Sequence, residues 1–115
     1  MRKVSENTIK AFLAGKACKV GNTSVTREIG FYKLRLHGNV IATRNTETGE
    51  ILVSDGGWQT NTTKERLNSL FSLILNDTRI FQRNGVWFVD GINGVCKWED
   101  AGRVALGGFV AKIVA

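Results

Sequence analysis

The chain has 115 residues, of which 43% are hydrophobic and 23% charged, the size and composition of one ordinary globular domain. This composition excludes collagen-like, coiled-coil, disulfide-rich and disordered proteins, and no apolar run is long enough for a transmembrane helix. We therefore expect a single domain over residues 1–115, with no signal peptide and no membrane contact.

The positive charge is concentrated in the first part of the chain. The net charge is +6. Residues 1–44 contain nine basic and two acidic residues, whereas residues 45–115 contain seven basic and eight acidic ones. Such a basic segment is typical of a protein that binds nucleic acid or another polyanion, and it argues against an acidic mimic of DNA. A charge that only keeps a small domain soluble is an equally good interpretation.

The first half of the chain predicts a short N-terminal helix followed by a meander of three strands. Ser5 is a candidate helix cap, and Gly15 stands where the helix is expected to end. Alternating apolar and polar residues then predict antiparallel strands over residues 31–37, 40–44 and 50–54. Gly38 and Asn39 are the expected two-residue turn, because glycine supplies the positive φ that such a turn needs.

The second half predicts the main helix and another hairpin. Thr62 and Glu65 have the spacing of a capping box, with Thr62 as the cap. Apolar residues follow at helical spacing, at Leu67, Leu70, Phe71 and Ile74. Asn84-Gly85 indicates a tight turn between strands over 79–83 and 86–89. The sequence thus predicts an α+β fold in which antiparallel hairpins pack on one main helix, with a short N-terminal helix.

The apolar faces of these elements supply the predicted core. Its members are Phe12, Leu34, Leu36, Ile41, Leu52, Leu67, Leu70, Phe71, Ile74, Phe81 and Phe88. Trp87 and Trp98 lie in strand-like segments and are also expected in the core rather than at a binding surface. Cys18 and Cys96 are expected to be free thiols.

The first hairpin is one candidate binding surface. A turn at 38–39 places Lys33 opposite Arg44 and puts both on one face with Arg35. Like charges directly opposite each other destabilise a sheet, so a chain that keeps them could be holding an anion site. Alternatively, these side chains extend into water, where screening removes most of the repulsion.

The loop that enters the main helix is the second candidate. Trp58 follows two glycines, and Lys64 and Arg66 lie at the helix N-terminus, where free N–H groups favour an anion. This combination suits a phosphate or a stacked base. The alternative, favoured by the size of the side chain, is that Trp58 anchors the helix entry in the core.

No catalytic, metal or cofactor site is predicted. One histidine and two distant cysteines give no zinc-ligand spacing, and the Walker, HExxH and GxSxG motifs do not occur. We therefore do not expect an enzyme.

Three segments resemble a family of short bacteriophage and prophage proteins. They are LHGNVIA at 36–42, GWQTNTTKERLN at 57–68 and IFQRNGVWF at 80–88. The resemblance implies a phage gene product that acts in the cytoplasm of an infected bacterium. Small accessory proteins of this kind commonly handle nucleic acid or block a host system.

Two functions are therefore carried forward. The first is non-enzymatic binding of nucleic acid through the basic hairpin face and the helix entry, with six candidate contacts: Lys33, Arg35, Arg44, Trp58, Lys64 and Arg66. The alternative is an inhibitor of a host defence protein, such as a restriction or CRISPR component. Salt discriminates between them, because counterion release makes nucleic-acid binding fall steeply as salt rises.

Overall fold

The computed structural model describes residues 3–74, 78–91, 94–100, 103–106 and 109–114, with side chains described as far as Glu99. The helices are α1 (Lys3–Ala14), α2 (Asn61–Ile74) and a short 3-10 helix (Trp98–Asp100). The strands are β1 (Cys18–Val20), β2 (Thr23–Glu28), β3 (Phe31–Leu36), β4 (Asn39–Asn45), β5 (Ile51–Ser54), β6 (Arg79–Arg83), β7 (Val86–Gly91), β8 (Gly94–Lys97), β9 (Arg103–Leu106) and β10 (Phe109–Val114). None of the described helices combines the length and apolar character that crossing a membrane requires.

The strands form two sheets, and the predicted α+β class is confirmed. The larger sheet has the order β1-β2-β3-β4-β5-β10-β9, and the smaller one has the order β6-β7-β8. Neighbouring strands are antiparallel, except that β5 and β10 run parallel. The predicted meander corresponds to β3, β4 and β5, and β2 extends it on the other side.

One hydrophobic core joins both helices and both sheets. Seven of the predicted members are buried in it: Phe12, Leu34, Leu36, Ile41, Leu67, Leu70 and Phe71. The prediction for Trp87 and Trp98 is confirmed, since each is only 2% exposed and their rings meet edge to face. Ile74 packs against the edge of the cluster.

For three residues the predicted core position is wrong, because they lie on the face of their strand that points away from the core. In β5 the buried residues are Ile51 and Val53, so Leu52 between them points to the opposite face. Phe81 and Phe88 are likewise only half-buried, because their neighbours supply the core face of the small sheet. Those neighbours are Ile80, Trp87 and Val89.

The predicted register of the first hairpin is wrong by one residue at the turn. The turn residues are His37 and Gly38, with φ of 52° and 82°, a pair of positive values that fits a type I′ turn. This turn alone would shift the pairing by two residues and keep the faces, but an irregularity between Leu34 and Arg35 moves the pairing back by one. Lys33 therefore pairs with Thr43, and Arg44 pairs with Tyr32. Since one residue of slip exchanges the two faces, Lys33 and Arg44 lie on opposite faces.

The N-cap of helix α2 lies two residues before the predicted cap, Thr62. The Oγ1 atom of Thr60 accepts a hydrogen bond from the N–H of Thr63 at 3.1 Å, and the two hydroxyl groups lie 2.9 Å apart. Thr60 is therefore the N-cap, whereas Thr62 lies inside the helix.

Glu65 and Arg66 belong to a buried polar network instead of a capping box or an anion site. Arg66 is 3% exposed, and its Nε donates to Thr23 Oγ1 at 3.0 Å. Its Nη1 donates to Ser5 Oγ at 2.8 Å and to Glu65 Oε1 at 3.0 Å. Ser5 in turn donates to Glu65 Oε2 at 2.6 Å. The network connects α1, α2 and β2, and Ser5 is a buried residue within α1 instead of its cap.

The two threonines at the start of α2 should differ in their effect on stability. Thr60→Ala removes the cap and should lower the free energy of unfolding by about 1 kcal/mol. Thr62→Ala should change it by less than about 0.5 kcal/mol, since Thr62 caps nothing. Urea unfolding of both variants measures the difference, and the reverse ranking would restore Thr62 as the cap.

Removal of the buried guanidinium should be far more costly. Arg66→Met keeps a long apolar stem but leaves the Glu65 carboxylate without its buried partner, so we expect a loss of about 3 kcal/mol. Lys64→Met is the matched control, at a more exposed position two residues earlier in the same helix. Equal midpoints of urea unfolding for the two variants would show that the network does not stabilise the fold.

Candidate nucleic-acid interface

The six predicted contacts do not form one surface. Lys33 and Arg35 lie on the face of the large sheet that points away from the helices, because the neighbouring Leu34 and Leu36 are buried. Arg44 lies on the opposite face, in the row of Tyr32. Lys64 is half-buried, with its Nζ 3.4 Å from Gln82 Oε1. Arg66 is inside the protein, where its role is structural.

Lys33 and Arg35 share one acidic partner, Glu28. The Nζ of Lys33 is 2.5 Å from Glu28 Oε2, and Arg35 Nη2 is 3.2 Å from Glu28 Oε1. Arg35 also donates to the carbonyl of Gly38 at 3.0 Å and to Thr26 Oγ1 at 3.2 Å. A phosphate on this face would have to compete with contacts that already hold both cations.

Trp58 is not the core anchor favoured by its size. It is 67% exposed and borders a mainly apolar cavity of about 310 Å³. Leu36, His37 and Ile41 of the β3–β4 hairpin form the opposite wall of the cavity. Gly56 lets the loop lie close to that hairpin, since a Cβ atom there would be 3.2 Å from Asn39 Cβ.

The small sheet presents a surface that combines aromatic and basic side chains. Phe81 and Phe88 are directly paired across the strands, with ring centroids 5.5 Å apart and planes at 16°. The Cζ atoms of Arg79 and Arg83 lie 5.8 and 5.7 Å from the Phe81 centroid. Lys97 is paired with Phe88 on the third strand. We call these five residues the aromatic–basic face.

Strand alternation explains why the aromatic–basic face points to solvent. Ile80, Trp87 and Val89 are buried on the other side of the same strands. Residue type alone places Phe81 and Phe88 in the core. The signal that could have corrected this is the pair Arg79 and Arg83, two positions to either side of Phe81 in one strand, since charged residues rarely share a core face.

This face offers two kinds of contact to a ligand. The phenyl rings and guanidinium planes are stacking surfaces for bases, and the charged groups can contact phosphates. Asp90, opposite Arg79, is the acidic residue in these rows, so the face stays positive. In the described part of the chain no three His, Cys, Asp or Glu side chains come together as metal ligands would.

The ion pair on the large sheet should be visible in the titration of Glu28. The hydrogen bond from Lys33 is the main cause that holds the pKa of Glu28 below its ordinary value of 4.5; burial opposes it, and the charges of Lys33 and Arg35 add to it. Because the pKa is lower in the folded state, the pair stabilises the fold above about pH 4.5, and this contribution disappears as the pH falls through the lowered pKa.

Lys33→Met should therefore raise the pKa of Glu28 towards 4.5, as measured by NMR of the carboxyl carbon. Lys10→Met is the control, because Lys10 forms the equivalent pair with Glu6 and should shift only the Glu6 pKa. An unchanged Glu28 titration in Lys33→Met would show that the pair does not persist in solution.

The comparisons with known proteins agree with the phage origin that the sequence resemblance implied. The family model of the Kyanoviridae Gp96 protein matches residues 1–108. No curated protein and no solved structure matches the chain. Because the family match covers nearly all of its length, the chain belongs to the Kyanoviridae Gp96 protein family, a family of phage proteins.

Proposed function

We propose that this phage protein binds single-stranded nucleic acid on the aromatic–basic face of its small sheet. The observation that carries the proposal is the stacked pair of Phe81 and Phe88, flanked on a solvent-facing sheet by Arg79 and Arg83. The proposed nucleic-acid contact therefore lies on the β6–β7 hairpin, whereas the sequence predicted it on the β3–β4 hairpin.

The chemistry of the face favours a single strand over a duplex. The half-exposed rings of Phe81 and Phe88 can stack on unpaired bases, which a duplex hides inside its helix. Every base has a π face, so this contact is tolerant of sequence. Arg79 and Arg83 are four residues apart on one strand, a distance of about 13 Å along the sheet, so they can reach different phosphates of one strand. Lys97 extends the positive charge across the sheet.

The large sheet is less suited to the same task. Its cations Lys33 and Arg35 are both bonded to Glu28. Its aromatic residue on that face, Phe31, is paired with Glu28 itself. The large sheet therefore serves as the internal control for the proposal, since it carries the same residue types with both cations held in ion pairs to one carboxylate.

Fluorescence anisotropy with labelled oligonucleotides of about 15 nucleotides tests the proposal. The protein should bind single-stranded probes more tightly than the corresponding duplex. Phe88→Leu should weaken binding about tenfold, because loss of one stacked base costs roughly 1–3 kcal/mol. Arg83→Gln should weaken binding and reduce the slope of log K against log salt by about 0.7.

The matched controls lie on the large sheet. Phe31→Leu and the double variant Lys33→Gln/Arg35→Gln remove the same groups there and should leave affinity unchanged. Circular dichroism confirms that each variant is folded. The proposal is wrong if the single strand does not bind, or if the large-sheet variants lose affinity and Phe88→Leu does not.

A second function, inhibition of a host defence protein, is favoured by a different observation. Trp58 is exposed beside an apolar cavity, and exposed aromatic residues next to pockets are typical centres of protein interfaces. This function predicts a host protein that Trp58→Ala no longer binds, through a contact insensitive to salt. Trp58→Ala should leave oligonucleotide binding intact, which separates the two functions.

A further inference from the structure

A separate cationic cleft lies at the far end of the large sheet. Arg27 pairs with Tyr32, and Tyr32 pairs with Arg44, so three adjacent strands bring these side chains into one row. The row lies on the face that carries α1, where the alternating residues Val25 and Leu34 enter the core. The row lines a cleft of about 770 Å³, bounded by the end of α1 and the tip of the β2–β3 hairpin.

Helix α1 ends early enough to leave this cleft open. Gly15 has a φ of 73°, and the N–H of Lys16 donates to the carbonyl of Ala11 at 2.8 Å. The N–H of Gly15 reaches the carbonyl of Phe12 at 3.4 Å, which completes a Schellman cap. Backbone N–H groups therefore bind these two carbonyls of the last turn, so Arg27 and Arg44 are not needed to cap the helix.

Tyr32 forms part of the floor of the cleft next to this cap. A Cβ atom on Gly15 would lie 3.2 Å from Cζ of Tyr32 and 3.3 Å from its hydroxyl oxygen. The phenol group is thus held against the backbone of Gly15, with the two guanidinium groups on neighbouring strands. Any side chain at position 15 would push into the ring.

Arg44 has hydrogen-bonding capacity that the protein does not use. Its Nε atom is buried and has no hydrogen-bond partner among the described residues. Neither Arg27 nor Arg44 forms a salt bridge within the described part of the chain. Glu28 also borders the cleft, but its carboxylate oxygens bind Lys33 and Arg35. A buried donor without an acceptor is costly, and an anionic ligand would satisfy it.

We propose that the Arg27–Arg44 cleft binds a phosphate monoester. Two guanidinium groups match the charge of a phosphate dianion, and the Tyr32 hydroxyl adds a neutral donor. The cleft is far larger than one phosphate and lies within the range of small-molecule sites, so the phosphate is expected to carry a group the size of a nucleoside. This group could belong to a free mononucleotide or to the 5′ end of a nucleic-acid strand.

Calorimetric titration of the full chain with AMP, at constant ionic strength, tests the proposal. Wild type should show saturable binding that adenosine does not reproduce. Arg44→Gln and Arg27→Gln should each weaken it at least tenfold. Arg44→Lys should also weaken it, because lysine keeps the charge but lacks the Nε donor and the planar fork. Arg83→Gln is the matched control and should bind AMP as wild type does.

The ligand source is resolved by competition. A 5′-phosphorylated oligonucleotide should displace AMP if the site takes strand ends, whereas a 5′-hydroxyl oligonucleotide should not. Equal displacement of AMP by both oligonucleotides would mean that they compete through the aromatic–basic face instead of through a 5′ phosphate in the cleft. If inorganic phosphate displaces AMP but neither oligonucleotide does, the ligand is a free nucleotide.

Three results would overturn the proposal: no AMP binding to wild type, equal binding by Arg44→Gln and Arg83→Gln, or amide shifts on AMP addition that leave Gly15 and Gly30 unmoved. The NMR shifts use the wild-type protein, so they decide the matter even if Arg44→Gln does not fold. Phe88→Leu should lower oligonucleotide binding without changing AMP binding, so failure of the cleft and failure of the proposed function are distinguishable.

Discussion

The buried guanidinium of Arg66 is the contact on which the arrangement of the fold depends. It reaches α1 through Ser5, β2 through Thr23 and its own helix through Glu65. A buried charge is tolerated only where its donors find acceptors, so the three elements must meet in one geometry to satisfy it. Apolar packing alone permits small shifts of one element on another, whereas these directed hydrogen bonds do not.

The same helix fixes the position of the small sheet. Two residues after the guanidinium, the side-chain amide of Asn68 pairs with the backbone of Ile80, accepting from its N–H at 2.6 Å and donating to its carbonyl at 2.9 Å. The amide thus takes the place of a neighbouring strand at the edge of β6. Helix α2 therefore holds the large sheet through Arg66 and the small sheet through Asn68, and it turns the aromatic–basic face towards solvent.

The sequence predicted the fold class, the main helix, the meander and the second hairpin, because these depend on periodicity and on turn residues. It did not predict the face of each residue. Glycine at position 38 suits either the first place of one turn type or the second place of another. The turn alone leaves Lys33 and Arg44 on one face; the irregularity between Leu34 and Arg35, which no sequence pattern predicts, exchanges their faces. The helix entry misled for two other reasons. Thr60 caps the helix by a local hydrogen bond in place of Thr62, which has the same side chain. Arg66 donates to Thr23 and Ser5, which are distant in sequence, so only tertiary contacts reveal its role.

The distribution of charge along the chain is likewise a poor guide to the candidate site. The basic excess of the first 44 residues includes Lys33 and Arg35, which both form ion pairs with Glu28 on the folded surface. Arg79 and Arg83 come from the part of the chain with a slightly acidic balance, yet they lie against an aromatic ring on a positive face. A cation contributes to an anion-binding surface when it forms no ion pair with a carboxylate and a stacking or hydrogen-bonding group lies beside it. That criterion selects the aromatic–basic face and the Arg27–Arg44 cleft, and it can be applied only after strand register is known.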